Sequence, residues 1–200
     1  MKVTLREYFN LLLVRLGIRK VLPAVWINSI EVRECSERMV VWRGATVRSG
    51  VALRLDAAER LLPTGFAISV KSGWRSATKQ AALRNAAREM GVCESEISRV
   101  IATRSGHATG GAVDVVLTEG GKEVDMGGAY LDFARAGDVK SLTNPQKRRR
   151  ELLRCVMIRV GFVNYPLEWW HFSYGDRMWA AYSGRRYAIY GEMRQEGELR

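Results

Sequence analysis

An aspartate interrupts an apolar stretch near the middle of the chain. Asp114 lies within AVDVVL, residues 112–117, whose valine-rich composition predicts a buried strand. A carboxylate in such a strand costs free energy unless it is hydrogen-bonded, paired with a cation or bound to a metal. The fold must therefore bring a partner to Asp114 from elsewhere in the chain.

The chain contains two histidines, and both are candidates for that partner. His107 lies in SGHATGGAVD, a glycine-bearing segment that permits sharp turns and close backbone approach. His171 lies among aromatic residues in LEWWHF. Two neutral imidazoles and one carboxylate form a three-ligand set suited to Zn²⁺, with the fourth position left for water. One zinc ion held by His107, Asp114 and His171 is therefore predicted, and a pair of hydrogen-bonded core histidines is the alternative.

Glu168 lies three residues before His171 and is the candidate general base. It would take a proton from zinc-bound water, whose pKa a catalytic site lowers to about 7. On an ideal strand, residues three apart point to opposite faces, so the two side chains share a site only if the backbone bends between them. Pro166 favours such a bend, whereas a surface glutamate is the alternative that spacing leaves open.

The rest of the chain predicts an α+β fold with a central, mainly antiparallel sheet and flanking helices. With 200 residues and 47% apolar side chains, we expect one domain over residues 1–200, with a helical segment at about 1–20 and a polar tail at about 185–200. The predicted strands are residues 39–42, 66–71, 112–117 and 169–174. The predicted helices are residues 5–16, 49–62, 77–90 and 145–160.

Capping and turn residues mark several of these boundaries. Ser76 is the predicted N-cap of the third helix and Asn144 that of the fourth. Gly120 and Gly121 predict a hairpin turn after the strand that contains Asp114.

Charge and cysteine content narrow the possible partners and compartments. The net charge of +11 permits attraction to a polyanion such as an anionic cell wall, but no nucleic-acid-binding motif is present, so no nucleic-acid partner is predicted. The basic run at 147–150 is expected to be a solvated helix face. Cys35, Cys93 and Cys155 lack metal-site spacing and are expected to be ordinary small apolar side chains.

The N-terminal region contains only a short uninterrupted Leu/Val run, which is too short for a signal-peptide core. No segment is long and apolar enough to predict membrane insertion. We therefore expect a cytoplasmic, reduced protein.

Three motifs resemble those of one known family. SGHATGGAVD matches the Ser-x-His-x-x-Gly-x-Ala-x-Asp pattern, and LEWWHF the Glu-x-x-His pattern, of the VanX-type D-alanyl-D-alanine dipeptidases. SGWRS is similar to the strand-end Gly-aromatic-Arg turn of these zinc enzymes, which have the Hedgehog/DD-peptidase fold. The resemblance extends from about Gly65 to Asp176.

The resemblance implies a role for each matched residue. It implies zinc ligation by His107, Asp114 and His171, with Glu168 as catalytic base. It also implies that Arg75 stabilises the tetrahedral oxyanion and that Ser105 lies near the substrate.

An aspartate in the family's Met-Gly segment binds the free amine of the dipeptide, and Asp132 is the equivalent here. In DMGGAYLDF, however, Asp132 lies one residue farther from Met126 and Gly127 than in the VanX-type spacing. A helix cap or a solvated loop acid is the alternative for this residue.

The implied activity is zinc-dependent hydrolysis of D-Ala-D-Ala. One alternative is a zinc D,D-carboxypeptidase or peptidoglycan endopeptidase that acts on longer stem peptides. Another is a non-enzymatic, zinc-stabilised interaction module, because the Hedgehog signalling domain shares the fold. Glu168 and Arg75 favour an enzyme, since neither is needed merely to hold zinc. The oligomeric state and the stereochemical preference have no sequence signal.

Overall fold

The computed structural model describes residues 21–94, 97 and 105–193, so the predicted helix over residues 5–16 lies outside the described residues. The helices are α1 (Ala24–Ser29), α2 (Ser49–Glu59), α3 (Ala77–Glu89), α4 (Phe133–Ala136), α5 (Asn144–Arg159) and α6 (Arg177–Ser183), with a 3-10 helix at Gly106–Thr109. The strands are β1 (Glu31–Val32), β2 (Met39–Trp42), β3 (Ala45–Arg48), β4 (Phe66–Ser72), β5 (Ala112–Glu119), β6 (Lys122–Glu123), β7 (Val163–Asn164), β8 (His171–Ser173) and β9 (Tyr187–Ala188).

An antiparallel five-stranded sheet lies at the centre, which confirms the predicted α+β class. Its strand order is β4-β5-β8-β7, with β6 paired to β5. Asp114 on β5 is directly opposite Ser72 on β4 and directly opposite His171 on β8. Directly opposite residues point to the same face, with Cβ atoms about 4.5–5.5 Å apart. The strand register therefore places these three side chains in one row across the sheet.

The two faces of β5 have different surroundings. Because side chains alternate along a strand, Val113, Val115 and Leu117 point away from the face that carries Asp114. All three valine and leucine side chains are fully buried in the main core. The helix residues of this core include Val51, Leu55 and Ala58 of α2 and Leu153, Val156 and Met157 of α5. Val113, Val115 and Leu117 thus contribute one face of β5 to the core that these helices complete.

Several local predictions are confirmed, although one helix and one strand are shorter than predicted. Ser76 caps α3 by accepting a hydrogen bond from the backbone N–H of Lys79. Gly120 and Gly121 both have positive φ in the turn between β5 and β6. The predicted helix over 49–62 ends at Glu59. The predicted strand over 169–174 is shorter, because residues 169 and 170 form a turn and β8 begins at His171.

The N-cap of α5 is Thr143, so the prediction of Asn144 is wrong. The hydroxyl of Thr143 accepts a hydrogen bond from the Gln146 N–H at 3.5 Å, and the Gln146 side chain accepts one from the Thr143 N–H at 2.8 Å. This reciprocal capping box requires a Thr followed three residues later by Gln, and Asn144 is one residue too late for it.

The predicted solvated face over residues 147–150 is only partly correct. Lys147 and Arg148 are exposed, but Arg150 is partly buried. The Arg150 guanidinium donates to the carbonyls of Met126 (2.7 Å) and Asp138 (3.0 Å). Because these loop carbonyls accept hydrogen bonds from it, the partly buried guanidinium of Arg150 is not left without partners.

Residues 185–193, the described part of the predicted C-terminal tail, pack onto the rest of the fold. β9 pairs in parallel with β1, and Tyr190 is fully buried. The N–H of Met193 donates to the carbonyl of Ala108 at 2.7 Å. The large aromatic side chain of Tyr190 explains why this segment is ordered against the core.

All three cysteines are free and exposed. The expectation that they pack as small apolar side chains is therefore wrong. Cys155, for example, lies on an exposed part of α5 with Sγ 3.0 Å from the Glu151 carboxylate. In the described segments, no helix is long and apolar enough to cross a membrane.

Arg48 is a buried guanidinium that joins three segments of the chain. Its Nε donates to the carbonyl of Thr109 at 2.9 Å, and its Nη1 to the carbonyl of Glu37 at 2.6 Å. Its Nη2 lies 3.1 Å from the Glu34 carboxylate. Because Thr109 ends the 3-10 helix that carries His107, Arg48 anchors that helix to the β3 region of the fold.

Replacing Arg48 with Met should therefore destabilise the fold strongly. We expect Arg48→Met to lower the free energy of unfolding by about 3–5 kcal/mol, because it leaves buried carbonyl groups without donors. The control is Arg154→Met, which removes an exposed pair with Glu151 and should cost less than about 1 kcal/mol. Urea unfolding monitored by tryptophan fluorescence measures both, and equal losses would contradict the anchoring role.

Candidate metal centre

The 3-10 helix before β5 brings His107 to the sheet. The Ser105 hydroxyl caps this helix by accepting a hydrogen bond from the His107 N–H at 3.3 Å. Gly110, with φ of 71°, ends the helix in a left-handed conformation. A Cβ atom built at Gly106 would clash with the Asp176 carboxylate, and one at Gly111 would clash with a backbone carbonyl. These close approaches explain the glycine-rich sequence around His107.

Asp114 lies between the two imidazoles. Its Oδ1 is 3.3 Å from Nε2 of His107 and 3.0 Å from Nδ1 of His171. One potential ligand atom of each residue lies within 4.8 Å of the other two, and all three side chains are buried. A tetrahedral zinc site with bonds of about 2.0–2.1 Å separates its ligand atoms by roughly 3.3 Å. The spacing and the donor types therefore fit a zinc ion.

Hydrogen bonds behind the imidazoles orient their free nitrogens toward Asp114. Nδ1 of His107 lies 2.8 Å from the carbonyl of Gly73 and therefore carries the proton, which leaves the lone pair on Nε2. Nε2 of His171 lies 3.3 Å from Oγ of Ser173, which leaves Nδ1 as the inward nitrogen. Histidine ligands of metals almost always donate their other N–H in this way.

Tyr130 fixes the second oxygen of Asp114. The Tyr130 hydroxyl donates to Oδ2 of Asp114 at 3.0 Å, and its ring packs edge-on against Trp170. The next residue, Leu131, has φ of 69°, which is uncommon for leucine. Tyr130 and Leu131 lie within the segment DMGGAYLDF, between Met126 and Asp132. Sequence analysis singled out this segment but did not identify the tyrosine.

The charges of the three central side chains are strongly coupled. Burial alone would raise the pKa of Asp114, but His107 and His171 outweigh it and hold that pKa well below its ordinary value. Burial alone would lower the pKa of His171, but the hydrogen bond and charge of Asp114 raise it. Without a bound cation, a proton on imidazole compensates the buried carboxylate. A metal ion takes the place of that proton when it binds.

Glu168 lies beside His171 because the chain turns twice before β8. The Glu168 N–H donates to the Tyr165 carbonyl at 3.1 Å, and the His171 N–H donates to the Glu168 carbonyl at 3.2 Å. The Asn164 side chain donates to the carbonyls of Glu168 and His171 at 3.1 and 2.9 Å. The predicted bend is therefore present, and Oε2 of Glu168 lies 3.8 Å from Nδ1 of His171.

The buried position of Glu168 changes its acidity. Burial raises the pKa of Glu168 to about 7, although the charge of His171 opposes the shift. The charge of Asp114 adds to the increase. A carboxyl group with a pKa near neutrality can both accept a proton and return it, which is the property that a general base needs in amide hydrolysis.

Arg75 faces the same row from the junction of β4 and α3. Its Nη1 donates to the Gln80 side chain at 2.9 Å, and its Nη2 donates to the Ser72 hydroxyl at 3.0 Å. Nη2 also lies 3.8 Å from Oδ2 of Asp114. The backbone N–H of Arg75 donates to the His107 carbonyl at 3.1 Å. Sequence analysis missed Ser72 and Gln80, although the register of β4 against β5 would have indicated Ser72.

The last two predicted site residues have local structural partners. Ser105 caps the 3-10 helix, and Asp132 caps α4 by accepting a hydrogen bond from the Arg135 N–H at 3.4 Å. A cap is the alternative that the sequence left open for Asp132. Asp132 also lines, with Tyr130 and Trp169, an open cavity of about 510 Å³. The substrate contacts of Ser105 and Asp132 stay predictions.

The model of one protein family matches more than half of the chain. Residues 71–189 match the family described as D-ala-D-ala dipeptidase (Peptidase M15). The chain belongs to this family. The matched region contains every candidate site residue, from Arg75 to His171, and the resemblance inferred from the motifs is confirmed.

Curated relatives carry the same description. The chain is 33% identical over 111 residues to a D-alanyl-D-alanine dipeptidase of Synechocystis sp., a match that covers 46% of this chain and 43% of the relative. It is 37% identical over 83 residues to one of Enterococcus faecium, covering 38% and 40%. A third, from Streptomyces coelicolor, is 34% identical over 77 residues, covering 36% and 38%. The matched segment thus spans about two-fifths of the length of these relatives.

Two solved structures also show similarity to the chain. One is a variant of the vancomycin resistance D,D-pentapeptidase VanY in complex with Zn(II), with a TM-score of 0.45 and 17% identity, covering 80% of this chain and 96% of that protein. The other is VanYB in complex with D-alanine-D-alanine, with a TM-score of 0.47 and 18% identity, covering 75% and 85%.

Removal of the Tyr130 hydroxyl should weaken metal binding. Tyr130→Phe leaves Oδ2 of Asp114 without its donor, and loss of such an outer hydrogen bond typically costs about 10–100-fold in metal affinity. Competition with a chromophoric zinc chelator measures the dissociation constant. Tyr182→Phe is the matched control, because it removes a hydroxyl that accepts from the Leu22 N–H and should leave affinity unchanged. Unchanged affinity in Tyr130→Phe would show that the hydroxyl does not support Asp114.

Proposed function

We propose that this protein is a zinc-dependent peptidase that hydrolyses D-Ala-D-Ala. The observation that carries the proposal is the position of Glu168 and Arg75 beside the cluster of His107, Asp114 and His171. A purely structural metal site needs neither the buried carboxyl nor the guanidinium. Membership of the D-ala-D-ala dipeptidase family and the names of the curated relatives support the same activity.

The proposed ligands are Nε2 of His107, Oδ1 of Asp114 and Nδ1 of His171. When bound, zinc supplies Lewis acidity that polarises a carbonyl and lowers the pKa of a coordinated water. Three protein ligands leave a fourth position open, which is the arrangement of catalytic rather than structural zinc sites.

Glu168 is the proposed proton carrier. Its carboxylate takes a proton from the attacking water, holds it on a side-chain oxygen and delivers it to the nitrogen of the leaving amine. The C–N bond of the substrate breaks as that nitrogen gains the proton. The near-neutral pKa of Glu168 and its position 3.8 Å from His171 support this role.

Arg75 is the proposed donor to the developing oxyanion. Hydrogen bonds from its guanidinium to Ser72 and Gln80 hold it in place before the substrate binds. Donors that are already oriented need no reorganisation in the transition state, and one such donor is typically worth about 3–4 kcal/mol.

The choice between a dipeptide and a longer peptide depends on recognition of the substrate amine. Asp132 is the proposed amine-binding residue, but its Oδ1 already accepts the α4 cap hydrogen bond. This observation favours a second candidate, a zinc D,D-carboxypeptidase or peptidoglycan endopeptidase that accepts a longer stem peptide. A cytoplasmic location is part of the dipeptidase proposal. The net charge of +11 would suit a wall-directed enzyme instead.

Replacing Glu168 should separate catalysis from metal binding. We expect Glu168→Gln to retain bound zinc while kcat falls about 10²–10⁴-fold, since general acid–base catalysis contributes in that range. The control Glu151→Gln changes a surface residue paired with Arg154 and should keep full activity. Zinc content by atomic absorption and amine release measure the two properties. Full activity in Glu168→Gln would reject the role of Glu168, whereas no amine release from the zinc-loaded wild type would favour a zinc-stabilised interaction module.

A substrate panel tests the specificity. We expect the zinc-loaded protein to release free alanine from D-Ala-D-Ala, with little release from L-Ala-L-Ala and little cleavage of a muropeptide ending in D-Ala-D-Ala. Amine release and mass spectrometry measure these products. Cleavage of the muropeptide alone would reject the dipeptidase and support the carboxypeptidase or endopeptidase.

A further inference from the structure

Asp176 is a buried acid that the proposed mechanism does not use. The residue is 1% exposed, and its Oδ1 caps α6 by accepting a hydrogen bond from the Trp179 N–H at 2.8 Å. Within the described segments, its Oδ2 is buried and has no hydrogen-bond partner. Asparagine, serine or threonine would cap α6 without burying a charge. The cap alone therefore does not explain an aspartate at this position, because an unpaired buried carboxylate oxygen is costly.

The unpaired oxygen lies against the 3-10 helix that carries His107. A Cβ atom built at Gly106, the residue before His107, would clash with Oδ2 of Asp176. Ser173 is a neighbouring donor that lowers the pKa of Asp176, and its Oγ lies 3.3 Å from Nε2 of His171. Burial raises the pKa of Asp176, whereas the charges of His171 and His107 oppose that increase. Asp176 therefore lies against Gly106, which precedes His107, and three residues after Ser173, which contacts His171.

The charges of a metal-bound centre show what this acid contributes. A dication held by two neutral imidazoles and the Asp114 carboxylate leaves one net positive charge in a buried site. Arg75 and Glu168 add one charge of each sign and do not change that sum. The carboxylate of Asp176 brings the total to zero, which matters because an uncompensated charge is expensive in a low-dielectric environment.

We infer that Asp176 is the outer counter-charge of the metal centre, acting on His171 through Ser173 and on His107 through the backbone at Gly106. The inference rests on the proposed zinc site. In the inferred metal-bound arrangement, the His171 Nε2–H donates to Oγ of Ser173. The Ser173 hydroxyl, which lies 3.7 Å from Sδ of Met178 in this structure, then donates to the otherwise unpartnered Oδ2 of Asp176. Asp176 is thus a positioning residue, since it touches neither the cation nor the substrate.

Asp176→Asn tests the charge and keeps the cap, because asparagine retains an oxygen that accepts from the Trp179 N–H. We expect its zinc dissociation constant to rise at least about 10-fold, the lower end of the range for outer-shell changes. We expect the urea midpoint of the metal-free variant to equal or exceed that of the metal-free wild type, because a buried carboxylate is removed. A residue that only caps α6 would leave the zinc dissociation constant unchanged, because asparagine keeps the cap.

Two further variants complete the experiment. Asp56→Asn is the matched control, since its carboxylate accepts a hydrogen bond from the Trp42 indole, and it should bind zinc like the wild type. Ser173→Ala removes the link between Asp176 and His171 and should also weaken zinc binding, so it tests the inference if Asp176→Asn does not fold. Zinc affinity is measured by chelator competition and stability by urea unfolding in EDTA.

The outcomes distinguish the inference from the proposed function. Weaker zinc binding by Asp176→Asn, without loss of metal-free stability, supports the inference. Wild-type zinc affinity in both Asp176→Asn and Ser173→Ala overturns it and leaves the proposed zinc site intact. Loss of metal-free stability in Asp176→Asn together with unchanged affinity of the folded fraction shows a capping role only, which also overturns it. Failure of the wild type to bind zinc overturns the proposed function itself.

Discussion

The buried carboxylate of Asp114 is the group on which the other features of the centre depend. It is fully surrounded by protein on a central strand, so the fold has to supply partners for both of its oxygens. His107 and His171 approach Oδ1, and Tyr130 donates to Oδ2. The antiparallel register makes this possible because it aligns Ser72 and His171 with Asp114 on one face of the sheet.

The other side chains of the centre lie on three irregular segments around the sheet. Side-chain hydrogen bonds, rather than strand pairing, hold each segment in place. Arg48 and the capped 3-10 helix hold His107, and Asn164 holds the double turn that brings Glu168 back to His171. Arg150 binds carbonyls of the segment after β6, close to Tyr130. The sheet therefore sets the positions of two metal-ligand candidates, and buried polar side chains on irregular segments set those of the groups around them.

Features with a local cause could be predicted from the sequence. The strand alternation in β4 and the Ser76 cap of α3 depend on adjacent residues, and the scarcity of histidine directed attention to His107 and His171. Tyr130 and Asp176 could not be predicted, because their roles arise from contacts between segments that are distant in the sequence. The α5 cap was assigned one residue late because the reciprocal bonding of Thr143 was not recognised.

The order in which the chain is synthesised has a consequence for when a cation can be held. His171 follows Asp114 by 57 positions, and Asp176 comes later still. Residue 193, at the far end of the described chain, bonds to the backbone beside His107. A nascent polypeptide that stops short of β8 has an incomplete set of donors. Any ion that the centre binds can therefore be held by the full set only after β8 has been translated and paired with β5.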